Sequence, residues 1–212
     1  MEITQVDALV VGGGIAGMQT ALDLADQGNK VILVEREPTI GGKMIMLSKV
    51  FPTLDCCSCI TTPKMSAVAH HPNIELLTYC EVETVAENGG GFEVNVLKKP
   101  RYVDEKSCTG CRQCEFECPI TVPSHFDRDL GSYRAIRVPF STALPQKAVL
   151  DIENCLLCGK CEKACPVGAV DFSQQPEYLN IQTRSIILAT GFETTDLDAV
   201  SYTHLRAHET KA

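Results

Sequence analysis

At 212 residues, 44% of them hydrophobic, the chain is long enough for one large domain or two small ones with real cores. A net charge of −8 argues against nucleic acid as a partner, because phosphates call for a basic face. No apolar run approaches the ~20 residues of a membrane span. Residues 1–7 show no signal-peptide pattern, so a cytoplasmic location is expected.

The first predicted element is a strand over residues 6–11, running into Gly12-Gly13-Gly14-Ile15-Ala16-Gly17. A helix over residues 15–27 follows, with Ile15, Met18, Leu22 and Ala25 on one face, then a strand over residues 30–34 ending at Glu35. Alone, G-x-G-x-x-G is weak, but strand, glycine turn, helix and an acidic residue about 20 positions on form the dinucleotide fingerprint. Gly12 is expected to make the turn, Gly14 to admit a pyrophosphate, and Gly17 to pack helix on strand. Glu35 is expected to accept from ribose hydroxyls, with Arg36 beside it in the nucleotide site. A glycine turn without a ligand is the bland alternative.

Gly41-Gly42-Lys43-Met44 comes next, and then Cys56, Cys57 and Cys59. Those three cysteines read either as cluster ligands or a redox thiol, or as small buried residues in a tight loop. Lys64 reads either as a partner of an anionic flavin or as a solvated helix lysine. Strands are predicted over residues 74–78, 81–85 and 92–97, the last two joined across Asn88-Gly89-Gly90-Gly91, and Cys80 reads as core.

Twelve cysteines need an explanation, and eight of them repeat one spacing. Cys108, Cys111, Cys114 and Cys118 precede Pro119; Cys155, Cys158, Cys161 and Cys165 precede Pro166. Both runs read C-x2-C-x2-C-x3-C-P, the spacing of two-cluster bacterial ferredoxins, in which the fourth cysteine serves the other cluster. One [4Fe–4S] cluster is therefore expected on Cys108, Cys111, Cys114 and Cys165, the other on Cys155, Cys158, Cys161 and Cys118. The alternative is a pair of structural zinc sites, which two C-x2-C knuckles would serve without a third recurring cysteine. Short strands are expected at residues 102–104 and 149–152, ahead of each run. Between the runs, residues 122–147 carry Pro123, Pro139 and Pro145 and read as an ordered surface excursion, either a docking loop or a spacer.

A last apolar strand ends in Ala189-Thr190-Gly191. This segment and Gly41-Gly42 resemble landmarks of two-dinucleotide-domain flavoproteins, which implies FAD. In such proteins Gly42, Lys43 and Met44 run along the flavin, the backbone near Val82 meets the adenine, and Ala189, Thr190 and Gly191 close over the site. The resulting expectation is an α/β fold: a Rossmann-like, GR2-type FAD-binding domain interrupted by an inserted α+β two-cluster ferredoxin domain. Residues 1–97 and 178–198 form the flavin part and residues 98–177 the insertion.

The segment Phe51-Pro52-Thr53-Leu54-Asp55-Cys56-Cys57-Ser58-Cys59-Ile60-Thr61-Thr62-Pro63-Lys64 resembles a signature of one family. That family is the FAD-bearing, A-type iron–sulfur subunit of CoB–CoM heterodisulfide reductase, with its bacterial relatives. Arg101-Tyr102-Val103-Asp104 and Pro139-Phe140 are similar too, and the likeness spans residues 7–196. The resemblance implies an oxidoreductase subunit that passes electrons between partners through two clusters and FAD, with pair splitting at the flavin. It implies other subunits of such a complex, a hydrogenase or formate-dehydrogenase-type donor, and ferredoxin as partners. An NAD(P)H-linked ferredoxin oxidoreductase of the glutamate-synthase small-subunit type is one alternative; there the ferredoxin module precedes the flavin domain. A non-catalytic wiring module is another.

The family continues past Ala-Thr-Gly with an NAD-type domain and a closing flavin segment that this sequence lacks. A fragment of a longer gene, with weak FAD binding of its own, is expected. Residues 199–212 read as a non-native or disordered tail, with His204 and His208 at i, i+4 spacing as the alternative, a metal site.

Overall fold

The computed structural model describes residues 3–127 and 129–193; the predicted tail and its two histidines lie outside the described residues. The first element, β1 (Ile3–Val11), leads through the glycine turn into α1 (Ile15–Asp26) and β2 (Val31–Glu35), which is buried along its whole length. A strand covered on both faces reads as a continuous apolar run, as Val31-Ile32-Leu33-Val34 does. A short hairpin, β3 (Lys49–Val50) and β4 (Asp55–Cys56), then delivers the chain to α2 (Cys57–His70) and β5 (Ile74–Thr78). The hairpin β6 (Cys80–Asn88) and β7 (Gly91–Lys98) follows, turning through Gly89 and Gly90, both with positive φ.

The chain then leaves this sheet for residues 99–176. It forms α3 (Gln113–Glu117), the hairpin β8 (Thr121–Pro123) and β9 (Ser132–Arg134), the pair β10 (Ile136–Arg137) and β11 (Val149–Leu150), and α4 (Lys160–Ala164). It returns in β12 (Glu177–Leu188), which runs parallel to β1 and antiparallel to β7. The main sheet has the order β5-β2-β1-β12-β7-β6. β12 joins a parallel set to an antiparallel hairpin, so the long excursion between β7 and β12 leaves and re-enters at neighbouring strands.

Among the described residues, three apolar clusters form the core. One face of the sheet packs α1 and α2 through Val10, Met18, Ala21, Leu33, Met65 and Val68. On the other, Leu9, Ile32, Val34, Val94, Val96 and Ile181 meet Cys80, with Val82 against them, so the β6–β7 hairpin curls over that face. The third cluster draws only on residues 102–172, Phe140 among them, which also touches the first.

The stretch over residues 122–147 differs from the surface excursion expected of it. Ala135, Ile136, Val138 and Ala143 are buried, and β10 pairs with β11. The reason is volume: thiols arranged around a centre cannot fill a core, and small apolar side chains from this stretch do. Its hairpin tip, with Leu130 exposed, and Ser141, Thr142 and Gln146 remain at the surface. The strand expected at residues 102–104 reduces to one bridge, Val103 to Val170.

Candidate functional site: two thiol recesses and a glycine crevice

The two cysteine runs fold alike. In each, the residue before the second cysteine and the residue after it take a left-handed conformation: Gly110 and Arg112 in one, Leu157 and Gly159 in the other. Arg112 and Gly159 are the N-caps of α3 and α4. Left-handed residues among helical ones turn successive N–H groups inward, the nest geometry that suits anionic clusters. Of the two glycines only Gly110 is sterically required: a Cβ there would lie 2.5 Å from the Gln146 carbonyl oxygen. Leu157 and Arg112 accept the strained conformation, at a cost of about 1–2 kcal/mol each.

Each five-residue helix ends on the fourth cysteine as C-cap, and α3 packs on α4. The result is a crossed arrangement. One recess is lined by Cys108, Cys111, Cys114 and Cys165, and the other by Cys118, Cys155, Cys158 and Cys161. Each recess thus takes three thiols from one run and one from the other.

Among the described residues, no three His, Cys, Asp or Glu side chains converge as the ligands of one metal ion would. Four sulfurs on a zinc ion at about 2.3 Å would have to stand about 3.8 Å from one another. The thiols surround space instead, and that fits a multi-atom cluster. Backbone N–H groups already point at sulfur: Leu157 N–H donates to Cys155 Sγ at 3.3 Å and Ala169 N–H to Cys165 Sγ at 3.2 Å. Burial, reinforced by the neighbouring Cys108, pushes the Cys114 thiol up to about 12, and burial also raises Cys161. Ligation by iron deprotonates such thiols, so loading the recesses releases protons.

The second site lies at the carboxyl ends of β1, β2 and β12. Gly12, at φ +112°, turns the chain, and its N–H donates to the Val34 carbonyl at 2.8 Å. A Cβ on Gly12 would strike the Ala189 carbonyl, and one on Gly17 the Gly12 carbonyl, so neither position has room for a side chain. Gly14 differs: nothing lies within 4 Å of a Cβ there, and it is the N-cap of the twelve-residue α1 with no side chain capping it. Open space over unpaired N–H groups is what a pyrophosphate requires.

Gly42 comes up against Gly14, 2.8 Å separating the place of its Cβ from the Gly14 Cα, while Gly41 N–H donates to the Gly13 carbonyl at 2.8 Å. Ala189 N–H donates to the Val11 carbonyl at 2.8 Å, and Thr190 and Gly191 (φ +78°) continue from there. Lys43 reaches this return segment, bonding the Phe192 carbonyl with its ammonium 4.6 Å above the Phe192 ring. Met44 opens a 3-10 turn immediately after it.

Glu35 is buried and accepts from Gly13 N–H at 2.6 Å and Glu37 N–H at 2.9 Å. Each carboxylate oxygen keeps a second lone pair, so a ribose hydroxyl still has an acceptor there. Arg36 is exposed and paired with Glu37. Val82 lies in β6 beside a register shift, on the curled hairpin that faces Val34. The donors and the glycine crevice fit a dinucleotide.

The remaining candidates sit at the start of α2. Cys57 is buried, but Cys56 and Cys59 are exposed, so the tight-loop, small-core reading holds for one of the three. Lys64 is half-buried and bonds Gln19 of α1, not solvent. Cys80 is core, its thiol pushed up to about 11 by burial. Two residues to which no sequence motif assigns a bridging role join the two parts of the chain: Thr39, which accepts from Leu144 N–H at 2.9 Å, and Arg101, which donates to the Pro38 carbonyl at 2.7 Å and to Thr78 at 2.5 Å. Their partners are far away in the chain.

Family models match two segments: an FAD dependent oxidoreductase over residues 7–54, and a 4Fe-4S dicluster domain over residues 107–170. The chain is 53% identical over 197 residues to the A-type iron–sulfur subunit of the CoB–CoM heterodisulfide reductase of Methanocaldococcus jannaschii, covering 92% of this chain and 30% of that protein. It is 56% identical over 190 residues to one of the two such subunits of Methanopyrus kandleri (89% and 28%). To the A-type subunit of the H2/formate:CoB–CoM heterodisulfide,ferredoxin reductase of Methanococcus maripaludis it is 51% identical over 197 residues (92% and 30%). The chain thus spans about three tenths of the length of the curated relatives it matches.

Proposed function

We propose that this chain, which belongs to the family of the A-type iron–sulfur subunits of CoB–CoM heterodisulfide reductase, carries electrons between redox partners through FAD and two [4Fe–4S] clusters. The observation that carries this reading is the pair of crossed thiol recesses, set in the excursion between two neighbouring strands of the sheet whose ends form the glycine crevice. Cys108, Cys111, Cys114 and Cys165 hold one cluster; Cys155, Cys158, Cys161 and Cys118 hold the other. Flavin takes up electrons in pairs or singly and the clusters singly, so the two together exchange one currency for the other.

The protein's own residues do the rest. Gly14 leaves room for the pyrophosphate, Gly12, Gly17 and Gly42 let the turn, the helix and the neighbouring loop close up beside it, and Glu35 takes the ribose. Lys43 ties the Gly41–Gly42 loop to the segment after Gly191. Within the longer protein the partners of this reading are the other subunits of a heterodisulfide-reductase-like complex, a hydrogenase or formate-dehydrogenase-type donor, and ferredoxin. Pair splitting at the flavin and a cytoplasmic location belong to the same reading. Among the described residues no helix is long and apolar enough to cross a membrane.

Anaerobic reconstitution with iron, sulfide and flavin analysis tests it, with about eight irons per chain expected from two cubanes. FAD should bind at less than one equivalent. Zinc without labile sulfide would overturn the reading. The crossing has its own test: Cys118→Ala and Cys161→Ala should remove the same cluster, and Cys165→Ala the one that Cys114→Ala removes. Electron paramagnetic resonance of the reduced variants should show one cluster and no spin coupling.

A further inference from the structure

Two runs of one spacing need not make two equal clusters, and the surroundings of the two recesses differ in charge and in bulk. Lys147, half-buried just ahead of β11, donates from its ammonium to the Cys108 carbonyl at 2.5 Å. Among the described residues no carboxylate stands within ion-pair range of it, so its charge is not cancelled locally. Cys155 holds the matching place in the second run, and among the described residues no side chain donates to its carbonyl. The other cations at the recesses weigh less. Arg112, on the wall of the first, is held by Glu115 at 2.8 and 2.9 Å. Lys160, on the wall of the second, is exposed and screened by water.

Bulk points the same way. Ala148, Ala169 and Val170 wall the first recess, whereas Ile136, Leu150 and Phe172 wall the second. Larger hydrocarbon side chains keep water and backbone dipoles farther from whatever fills the space. A [4Fe–4S] cluster on four thiolates becomes more negative when it takes an electron. A nearby cation therefore favours the reduced form, and a dry apolar wall disfavours it. Lys147 also ends a short segment that reaches the other part of the chain. Three residues earlier, Leu144 N–H donates at 2.9 Å to Thr39, which stands two positions before Gly41 of the crevice.

We propose that Lys147 raises the potential of the cluster on Cys108, Cys111, Cys114 and Cys165 above that of its twin. A single electron in the excursion then rests on the cluster whose loop is fastened, through residues 144–147, to the glycine crevice. The inference rests on the electron-transfer reading and deepens it, because it gives the pair of clusters a direction. The step is a one-electron exchange in which one cluster is oxidised as the other is reduced, and no proton or outside reagent enters.

The full chain is loaded with iron and sulfide anaerobically and titrated electrochemically, with the reduced clusters followed by electron paramagnetic resonance. The native chain should show two one-electron steps at separate potentials. In Lys147→Met the upper step should fall, reduction of that cluster weakening about tenfold, which for one electron is ~59 mV. The lower step should move much less. Lys147→Gln, which keeps a donor for the carbonyl but no charge, should fall in the same way. Lys147→Arg keeps the charge and should leave the upper step near its native place; a role confined to bracing the loop would not sort these variants by potential. Cys165→Ala should show the lower step alone, and adding Lys147→Met to it should change nothing. Coincident steps in the native chain, an upper step unmoved in Lys147→Met, or an equal fall in Lys147→Arg would overturn the proposal. Zinc without labile sulfide in the native chain would instead overturn the electron-transfer reading, and this inference with it.

Discussion

At the scale of single residues, two glycines of one motif do opposite jobs. A Cβ on Gly17 would overlap a backbone carbonyl oxygen, whereas one on Gly14 would meet nothing. Gly17→Ala should therefore destabilise the chain by roughly 1–3 kcal/mol, toward the upper end because backbone rather than a flexible side chain is struck. Gly14→Ala should leave the stability from urea melts within about 0.5 kcal/mol of native while lowering flavin occupancy, because only the ligand's space is taken. Melts and flavin content measured on both variants separate the roles; equal loss of stability in both would refute the assignment. Glu35 adds a pH dependence. Burial raises its carboxyl above the ordinary range, against the pull of its two N–H partners. The folded chain then binds the proton more tightly than the unfolded one, so this contribution is whole below the ordinary carboxyl pKa. It is lost as pH rises through the raised folded value. Asp104, Glu115 and Asp171, held low chiefly by Ser107, Arg112 and Ser173, act in the opposite sense at lower pH. The native-minus-Glu35→Gln difference in flavin-free stability, from urea melts at stepped pH, should fall across the upper window alone.

At the scale of elements, what the sequence makes legible is what a local pattern can specify. β2 is an apolar run and α1 follows a glycine turn, so both are readable. The cysteine runs are legible as two repeats of one spacing, because ligand spacing is a local constraint. β12 is less so. Its terminal Ile186-Ile187-Leu188 announces a strand, yet the pairing begins at Glu177, in a polar stretch held by its neighbours rather than by its own pattern. The stretch over residues 122–147 defeats local reading for a related cause. Its prolines and polar residues mark a loop, and only the packing around the recesses shows that Ala135, Ile136 and Val138 are core. Ile136→Ala should accordingly cost about 2–5 kcal/mol in the excursion. Loss of cluster absorbance in denaturant should come earlier and faster than in the native chain, and an unchanged bleaching rate would return this stretch to the surface.

At the scale of the whole molecule, electron transfer between a flavin and clusters needs the two parts of the chain held in fixed relation. Among the described residues Thr39 and Arg101 do it, and no local pattern shows their partners, because each contact spans a long separation. Thr39 meets Leu144 across 105 positions and Arg101 meets Pro38 across 63. Arg101 is 4% exposed. Its Nη2 donates to the Pro38 carbonyl and the Thr78 hydroxyl at the end of β5, and its Nε pairs with Glu105 at 2.5 Å on the first turn of the excursion. Burial lowers its pKa and Glu105 opposes that, and the guanidinium is charged. Replacing it with an apolar residue of similar reach leaves a buried carbonyl without a donor and a carboxylate without a cation. The cost of breaking such a pair is about 3 kcal/mol. In the native chain, far-ultraviolet ellipticity and cluster absorbance should be lost at one temperature, since both parts are cinched through this side chain. In Arg101→Leu the two should part, with cluster absorbance lost first and trypsin cutting after Lys98. Coincident loss at the native temperature would show that Thr39 and the β7–β12 pairing hold the excursion in place without Arg101.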